Sequence, residues 1–196
     1  MATEIIFATN NANKVKEIKA VTGNQLHILS LEEAGIFIDI PEPHDTLEAN
    51  ASEKSKVIHQ LTHKNCFSED TGLEVAALNG APGVKSARYA GDNRDFQANI
   101  DLLLHNLEAH SNKKAQFRTV ISLIWNNQEY LFEGICKGCI THQAKGVSGF
   151  GYDPVFIPEG ADKTFAEMSM DEKNQYSHRK KAMQQLLDFF NTNGVL

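Results

Sequence analysis

The chain has 196 residues, 41% of them hydrophobic and 22% charged. That is enough for one sizeable core, sets aside a disordered chain, and favours a single domain over residues 1–196. A formal net charge of −6 argues against duplex nucleic acid or an anionic membrane as partner, since both are bound through basic surface.

The opening Met1-Ala2-Thr3-Glu4 leads into an apolar run, Ile5 to Ala8, that is too short for a secretory core. No stretch approaches the roughly 20 apolar residues of a membrane helix. Three cysteines, Cys66, Cys136 and Cys139, fit reduced thiols and a cytoplasmic location.

Residues 4–9 (EIIFAT) are expected to form a buried strand, followed by a polar turn over 10–13 and a helix carrying Val15, Ile18 and Val21. A second strand is expected over 26–29. A helix over 45–62 would place Leu47, Ala51, Ile58 and Leu61 on one face, with Asp45 and Glu48 as a capping box. Residues 66–69 read as a short strand running into Asp70-Thr71-Gly72. Gly80-Ala81-Pro82-Gly83 breaks regular structure, and a helix over 94–107 follows. Residues 116–125 and 129–136 read as a hairpin, 148–158 as an irregular Gly-rich segment, and a last helix begins near Ser177. The order predicts an α/β fold with a mixed sheet, and a ligand at the carboxyl ends of its strands.

Cys136 and Cys139 have metal-pair spacing, but residues three apart in a strand face opposite sides, about 10 Å apart. His59 and His63 lack the intervening glutamate of zinc proteases and read as surface histidines.

Four segments look chemical. Thr9-Asn10-Asn11-Ala12-Asn13-Lys14 joins a strand to a helix N-terminus, where free N–H groups and the dipole attract anions. Asn is able to supply a left-handed backbone there, and a phosphate would relieve Lys14 of its place at the wrong end of the dipole. In Ser68-Glu69-Asp70-Thr71-Gly72 two adjacent carboxylates repel each other, and a divalent metal would offset that. In Ser177-His178-Arg179-Lys180-Lys181 four basic residues follow an N-cap, again unfavourable unless an anion is near. In Phe150-Gly151-Tyr152-Asp153-Pro154 glycine admits a close backbone approach and Phe150 or Tyr152 would stack on a base. Together these suit metal-assisted attack of water on a nucleotide phosphate.

The same residues resemble the inosine/xanthosine triphosphate pyrophosphatases, the Ham1-like family. The likeness rests on TNNANK at 9–14, SEDTGLEVAALNGAPGVKSARYAG at 68–91, Phe-Glu-Gly at 132–134, GFGYDPVF at 149–156, FAEM at 165–168, EKN at 172–174 and SHR at 177–179. It implies a two-lobed Ham1/Maf-like α/β fold with a long central mixed sheet flanked by helices, a nucleotide between lobes, a homodimer and Mg²⁺. The implied reaction converts ITP, dITP or XTP to the monophosphate and pyrophosphate, clearing deaminated purines before a polymerase uses them. Carried onto this chain, Thr9, Asn10, Asn11, Ala12, Asn13 and Lys14 bind phosphates. Asp70 holds Mg²⁺ and is the general base, and Thr71 contacts substrate. Phe150, Gly151, Tyr152 and Asp153 form the base and sugar pocket, and Lys173, His178 and Arg179 contact the base or its neighbours. The family's acid before the Asn-Ala near residue 50 is Ala49 here, with Glu48 one residue earlier as the substitute metal ligand. The rival readings are a Maf-like pyrophosphatase acting on other nucleotides and a non-catalytic nucleotide sensor.

Overall fold

Alternating hydrophobic strands and amphipathic helices organise the chain, seen in a computed structural model that describes residues 3–196. Met1 and Ala2, part of the chain start considered for a leader, lie outside the described residues. β1 (Thr3–Phe7) lies parallel to β2 (Leu26–Ser30), with Ile5 opposite Ile28. The helix between them, α1 (Ala12–Thr22), ends at Gly23, whose φ of 53° suits a residue without a Cβ. β1 also pairs in parallel with β3 (Cys66–Val75), which follows α2 (Leu47–Thr62). β4 (Pro82–Gly83) lies antiparallel on β3, and α3 (Phe96–Leu107) comes next.

β5 (Lys114–Trp125) and β6 (Gln128–Ile140) are joined by Asn126 and Asn127, with φ of 50° and 64°. Positive φ at both central residues gives the hairpin turn whose twist matches that of the flanking strands. β7 (Phe156–Pro158) runs antiparallel to β6, and α4 (Met170–Tyr176) and α5 (His178–Thr192) complete the chain. The hydrogen-bonded order is β2-β1-β3-β5-β6-β7, with β4 on β3. The fold is therefore mixed α/β with a central mixed sheet flanked by helices, as expected from the sequence.

The chain divides into two compact units. One contains the segment ending at Asp70, Thr119–Gly134 and Arg179–Leu196; the other contains Thr71–Arg118 and Ile135–His178. The first unit packs Ile5, Phe7, Ile18, Phe67, Ile121, Leu186 and Phe190 together. A second cluster there includes Leu31, Ile58, Cys66 and Ile124. In the second unit Leu73, Leu103, Phe117, Val155, Phe156 and Phe165 form the core.

Several boundaries differ from the sequence expectation. β3 does not end at Glu69-Asp70 but continues to Val75. The cap of α2 is Thr46, which accepts the Ala49 N–H at 3.2 Å, so Asp45 and Glu48 form no capping box around it. Leu61, in the last turn of α2, is 57% exposed, whereas Leu47, Ala51 and Ile58 are buried. α3 starts after Arg94, which takes φ 53°, because Asp95 caps Gln97 and Ala98. α4 was not expected; Ser169 and Glu172 start it with a reciprocal capping box that the sequence carries.

Candidate active site

In the first unit the turn after β1 is ordered by its own side chains. Asn11 caps α1, its Oδ1 accepting the N–H groups of Asn13 at 3.0 Å and Lys14 at 3.2 Å. Asn11 has φ −84° and ψ 103°, and none of Asn10, Asn11 and Asn13 takes the left-handed conformation expected for this turn. Capping, not a left-handed turn, is therefore what the Asn-rich sequence provides here. Thr9 Oγ1 accepts the Asn11 N–H, and Asn10 donates to the Ile38 carbonyl at 2.9 Å. Ala12 and Asn13 are exposed, and Lys14 reaches from the first turn to Glu69, Nζ to Oε1 3.1 Å.

Neighbouring residues of a strand point to opposite faces, and β3 uses this to separate its two acids. Glu69 turns to Arg179, which donates from Nε to Oε2 at 2.7 Å and from Nη2 to Oε1 at 2.9 Å. Arg179 also donates from Nη1 to Glu17. Burial pushes the Glu69 carboxyl up, but Arg179 and Lys14 outweigh it and hold the group well below the usual carboxylate range. Glu69 is thus neutralised by protein cations, and the idea that a metal offsets both acids applies to Asp70 alone.

Asp70 turns to α2. Its Oδ1 lies 3.1 Å from Lys54 Nζ and its Oδ2 3.5 Å from Asn50 Nδ2. Asn50 and Lys54 are four residues apart on the helix and so share one face. Lys54 also binds Glu42 at 2.6 Å. Burial is the main influence raising the Asp70 carboxyl above its ordinary value; Lys54 and Lys14 oppose it and Glu42 adds to it. Two carboxylates share one ammonium, which leaves one net negative charge in a nearly closed site.

That charge tests the fit of a divalent cation. Among the described residues no group of three or more His, Cys, Asp or Glu side chains is placed to hold a metal. Two carboxylates are too few for an all-protein cage but match Mg²⁺, which is bound through one or two carboxylates plus substrate phosphates and water. Glu48 stands two residues before Asn50, about 200° around the helix from the face that meets Asp70. Glu42 is the acid found beside Lys54.

In the second unit Asp153 Oδ2 accepts the Phe150 N–H at 2.9 Å and binds Lys173 Nζ at 2.6 Å. Gly149 takes φ 76°, and a Cβ there would run into the Asp153 carboxylate, so the approach requires glycine. Lys173 Nζ also sits 5.5 Å from the Phe150 ring centroid. Tyr152 is buried in the core of this unit and donates its hydroxyl to the Ser86 carbonyl at 2.9 Å. Of the two aromatics expected to stack on a base, Phe150 is the one left half-buried. His178 is buried and stacks on Phe117, centroids 4.7 Å apart and planes 12° apart. Gly151 has φ 61°, and Thr71 follows Asp70 in β3, half-buried.

Residues 5–189 match the model of the Ham1 family. The chain belongs to the Ham1 family. A "dITP/XTP pyrophosphatase" of Flavobacterium johnsoniae is 50% identical over 185 residues, covering 94% of this chain and 96% of that protein. The Ham1 protein of Staphylococcus aureus has a solved structure that superposes with a TM-score of 0.88 at 38% identity, covering 97% of this chain and all of the other. A HAM1 protein from Coxiella burnetii gives the same TM-score at 34% identity.

Sequence reasoning about this Ham1 chain missed Glu17, Glu42, Asn50 and Lys54. The signal for Asn50 and Lys54 was available as polar residues at i and i+4 on a helix that buries Leu47, Ala51 and Ile58 beside them. Glu42 had none, since it lies in an irregular stretch between Pro41 and Pro43. Cys136 is buried and Cys139 exposed on the same strand, as the strand alternation required, and neither is in a disulfide.

Proposed function

We propose that this chain is a house-cleaning nucleoside triphosphate pyrophosphohydrolase. It hydrolyses ITP, dITP and XTP to the monophosphate and pyrophosphate and so keeps deaminated purines out of DNA and RNA. Family membership and relatives bearing that activity in their names support the reading. The observation that carries it is Asp70, a buried carboxylate with raised proton affinity, on the opposite strand face from a fully neutralised neighbour.

The chemistry assigned to the first unit is hydrolysis. Water attacks phosphorus, its proton passes to an Asp70 oxygen, and the α–β anhydride bond breaks with its electron pair leaving on pyrophosphate. A carboxylate shifted toward neutral pH is a better base than an ordinary one. Lys14, with Thr9 to Asn13 around it, holds phosphate oxygens. Asp70 and Glu42 would hold Mg²⁺, which supplies charge neutralisation for the phosphates when bound; this moves the second metal-binding acid from Glu48 to Glu42.

The chemistry assigned to the second unit is base selection. Phe150 offers a ring face, and Lys173, set by Asp153, and His178 supply polar groups for a purine. Donors directed at a 6-oxo group accept hypoxanthine and xanthine. Adenine, with a donor of its own at that position, would leave them unpaired at about 1–3 kcal/mol each. No helix among the described residues is long and apolar enough to cross a membrane. The reading is completed by a homodimer and a cytoplasmic location, the latter supported by the free thiols.

The test is pyrophosphate release from ITP, XTP, dITP, GTP and ATP, with Mg²⁺ and with chelator, by the native chain and by Asp70→Asn. Metal-dependent release confined to ITP, dITP and XTP is expected. The variant should bind nucleotide and not turn it over; turnover at the native rate would remove Asp70 from the reaction.

A further inference from the structure

Arg179 stands in a basic segment that reads as facing the nucleotide, yet its guanidinium is 2% exposed and held by carboxylates. Its fork grips both oxygens of Glu69, and its remaining arm donates to Glu17. Glu17 is itself buried, one turn beyond Lys14 on α1. Glu69 in turn binds Lys14. The contacts close a ring from α1 through α5 to β3 and back to α1. Two cations face two carboxylates, and Lys14 alone keeps 16% of its side chain exposed.

We propose that Glu17, Arg179 and Glu69 are positioning residues that hold the Lys14 ammonium ready for a phosphate oxygen, and that Arg179 serves the phosphate end of the site and not the base. This rests on the nucleotide pyrophosphatase reading above. A free lysine has four rotatable bonds to order when it meets an anion, and that ordering weakens binding. Here Glu69 orders Lys14 in advance. Glu69 is itself fixed by a bidentate arginine, the geometry in which guanidinium and carboxylate restrain each other most. Glu17 prevents the guanidinium from turning, and it sits on the same helix as the lysine being aimed.

The experiment measures binding of inorganic pyrophosphate in magnesium buffer by titration calorimetry, alongside the ratio of kcat/KM for ITP over GTP. The variants are Glu17→Gln, Arg179→Lys and Lys14→Met, singly and with Glu17→Gln and Lys14→Met combined. Glu17→Gln and Arg179→Lys are each expected to weaken pyrophosphate about tenfold and to leave the ITP/GTP ratio within about twofold. In the Lys14→Met background Glu17→Gln should have no further effect, because the route runs through Lys14. Should Glu17→Gln fail to fold, Glu17→Asp keeps the charge on a shorter stem and is read the same way. A changed ITP/GTP ratio in Arg179→Lys with unchanged pyrophosphate binding would place Arg179 at the base and overturn the inference. Equal effects of Glu17→Gln with and without Lys14 would overturn it as well. If the native chain binds pyrophosphate but hydrolyses no nucleotide, the substrate reading fails by itself. If it hydrolyses ITP without binding pyrophosphate, the positioning inference fails by itself.

Discussion

Replacing Lys54 with methionine isolates the charge balance at Asp70. Lys54 is 7% exposed and holds Glu42 at 2.6 Å and Asp70 at 3.1 Å. Burial alone would lower its proton affinity, but the two carboxylates raise it above the ordinary lysine value. Methionine keeps much of the volume and removes the charge, leaving buried Asp70 and half-buried Glu42 without their shared cation. Breaking a buried ion pair by removing one partner costs about 3–5 kcal/mol. For a chain of this length that lowers Tm by about 10 °C or somewhat more. The assay is urea unfolding followed by circular dichroism in metal-free buffer, from pH 7.5 down to pH 5. In the variant Asp70, which burial already raises above its ordinary value, loses the nearest cation opposing that rise. A raised acid weakens the fold where it must ionise, at high pH, and the deficit shrinks as pH falls and the group takes up a proton. Millimolar Mg²⁺ at pH 7.5 should recover part of the loss if Asp70 and Glu42 hold the cation. A deficit below about 1 kcal/mol, or one that does not change with pH, would refute the reasoning.

Acid should unfold the native chain through Glu69. Its folded pKa is depressed, so its stabilisation is fully present above the ordinary carboxylate value and is lost as pH falls below about 4.5. Glu69→Gln should flatten that acid limb in a pH titration of Tm, and an unchanged limb would assign it elsewhere. Tyr152→Phe should lower stability by about 1 kcal/mol through the lost bond to the Ser86 carbonyl and leave KM for ITP unaltered. A raised KM would return Tyr152 to the nucleotide pocket. We expect a single calorimetric transition, because β3, β5 and β6 each contribute residues to both compact units. Two resolved transitions would mean that the chain holds two domains.

What the sequence made legible was periodic or punctuated. The apolar runs of β1 and β5 and the Asn-Asn turn of the hairpin were readable because each is a local pattern. Thr9 to Lys14 was readable as a helix entrance for the same reason. The error at Asn11 came from weighing its left-handed tolerance above its capping chemistry. Long-range charge pairing left no local trace. Nothing near Arg179 indicates that its partners are Glu69 and Glu17, which lie 110 and 162 positions away in the chain. Tyr152 was hard to place because each aromatic of Gly149-Phe150-Gly151-Tyr152 reads equally as an open ring or a core anchor, and its hydroxyl partner lies 66 residues away.

The placing of Glu69 and Asp70 on adjacent positions of β3 has a consequence for how this chain tolerates change in length. A single residue inserted or deleted just before them would exchange their faces. Glu69 would then meet the lysine of α2, and Asp70 the arginine of α5. The composition of the strand would be unaltered and its hydrogen bonds could re-form, yet the acid meant to stay short of positive charge would be the one saturated with it. Substitutions along this stretch alter one contact at a time. A frame shift of one residue in the strand would interchange two electrostatic environments at once, so length is the less forgiving variable here.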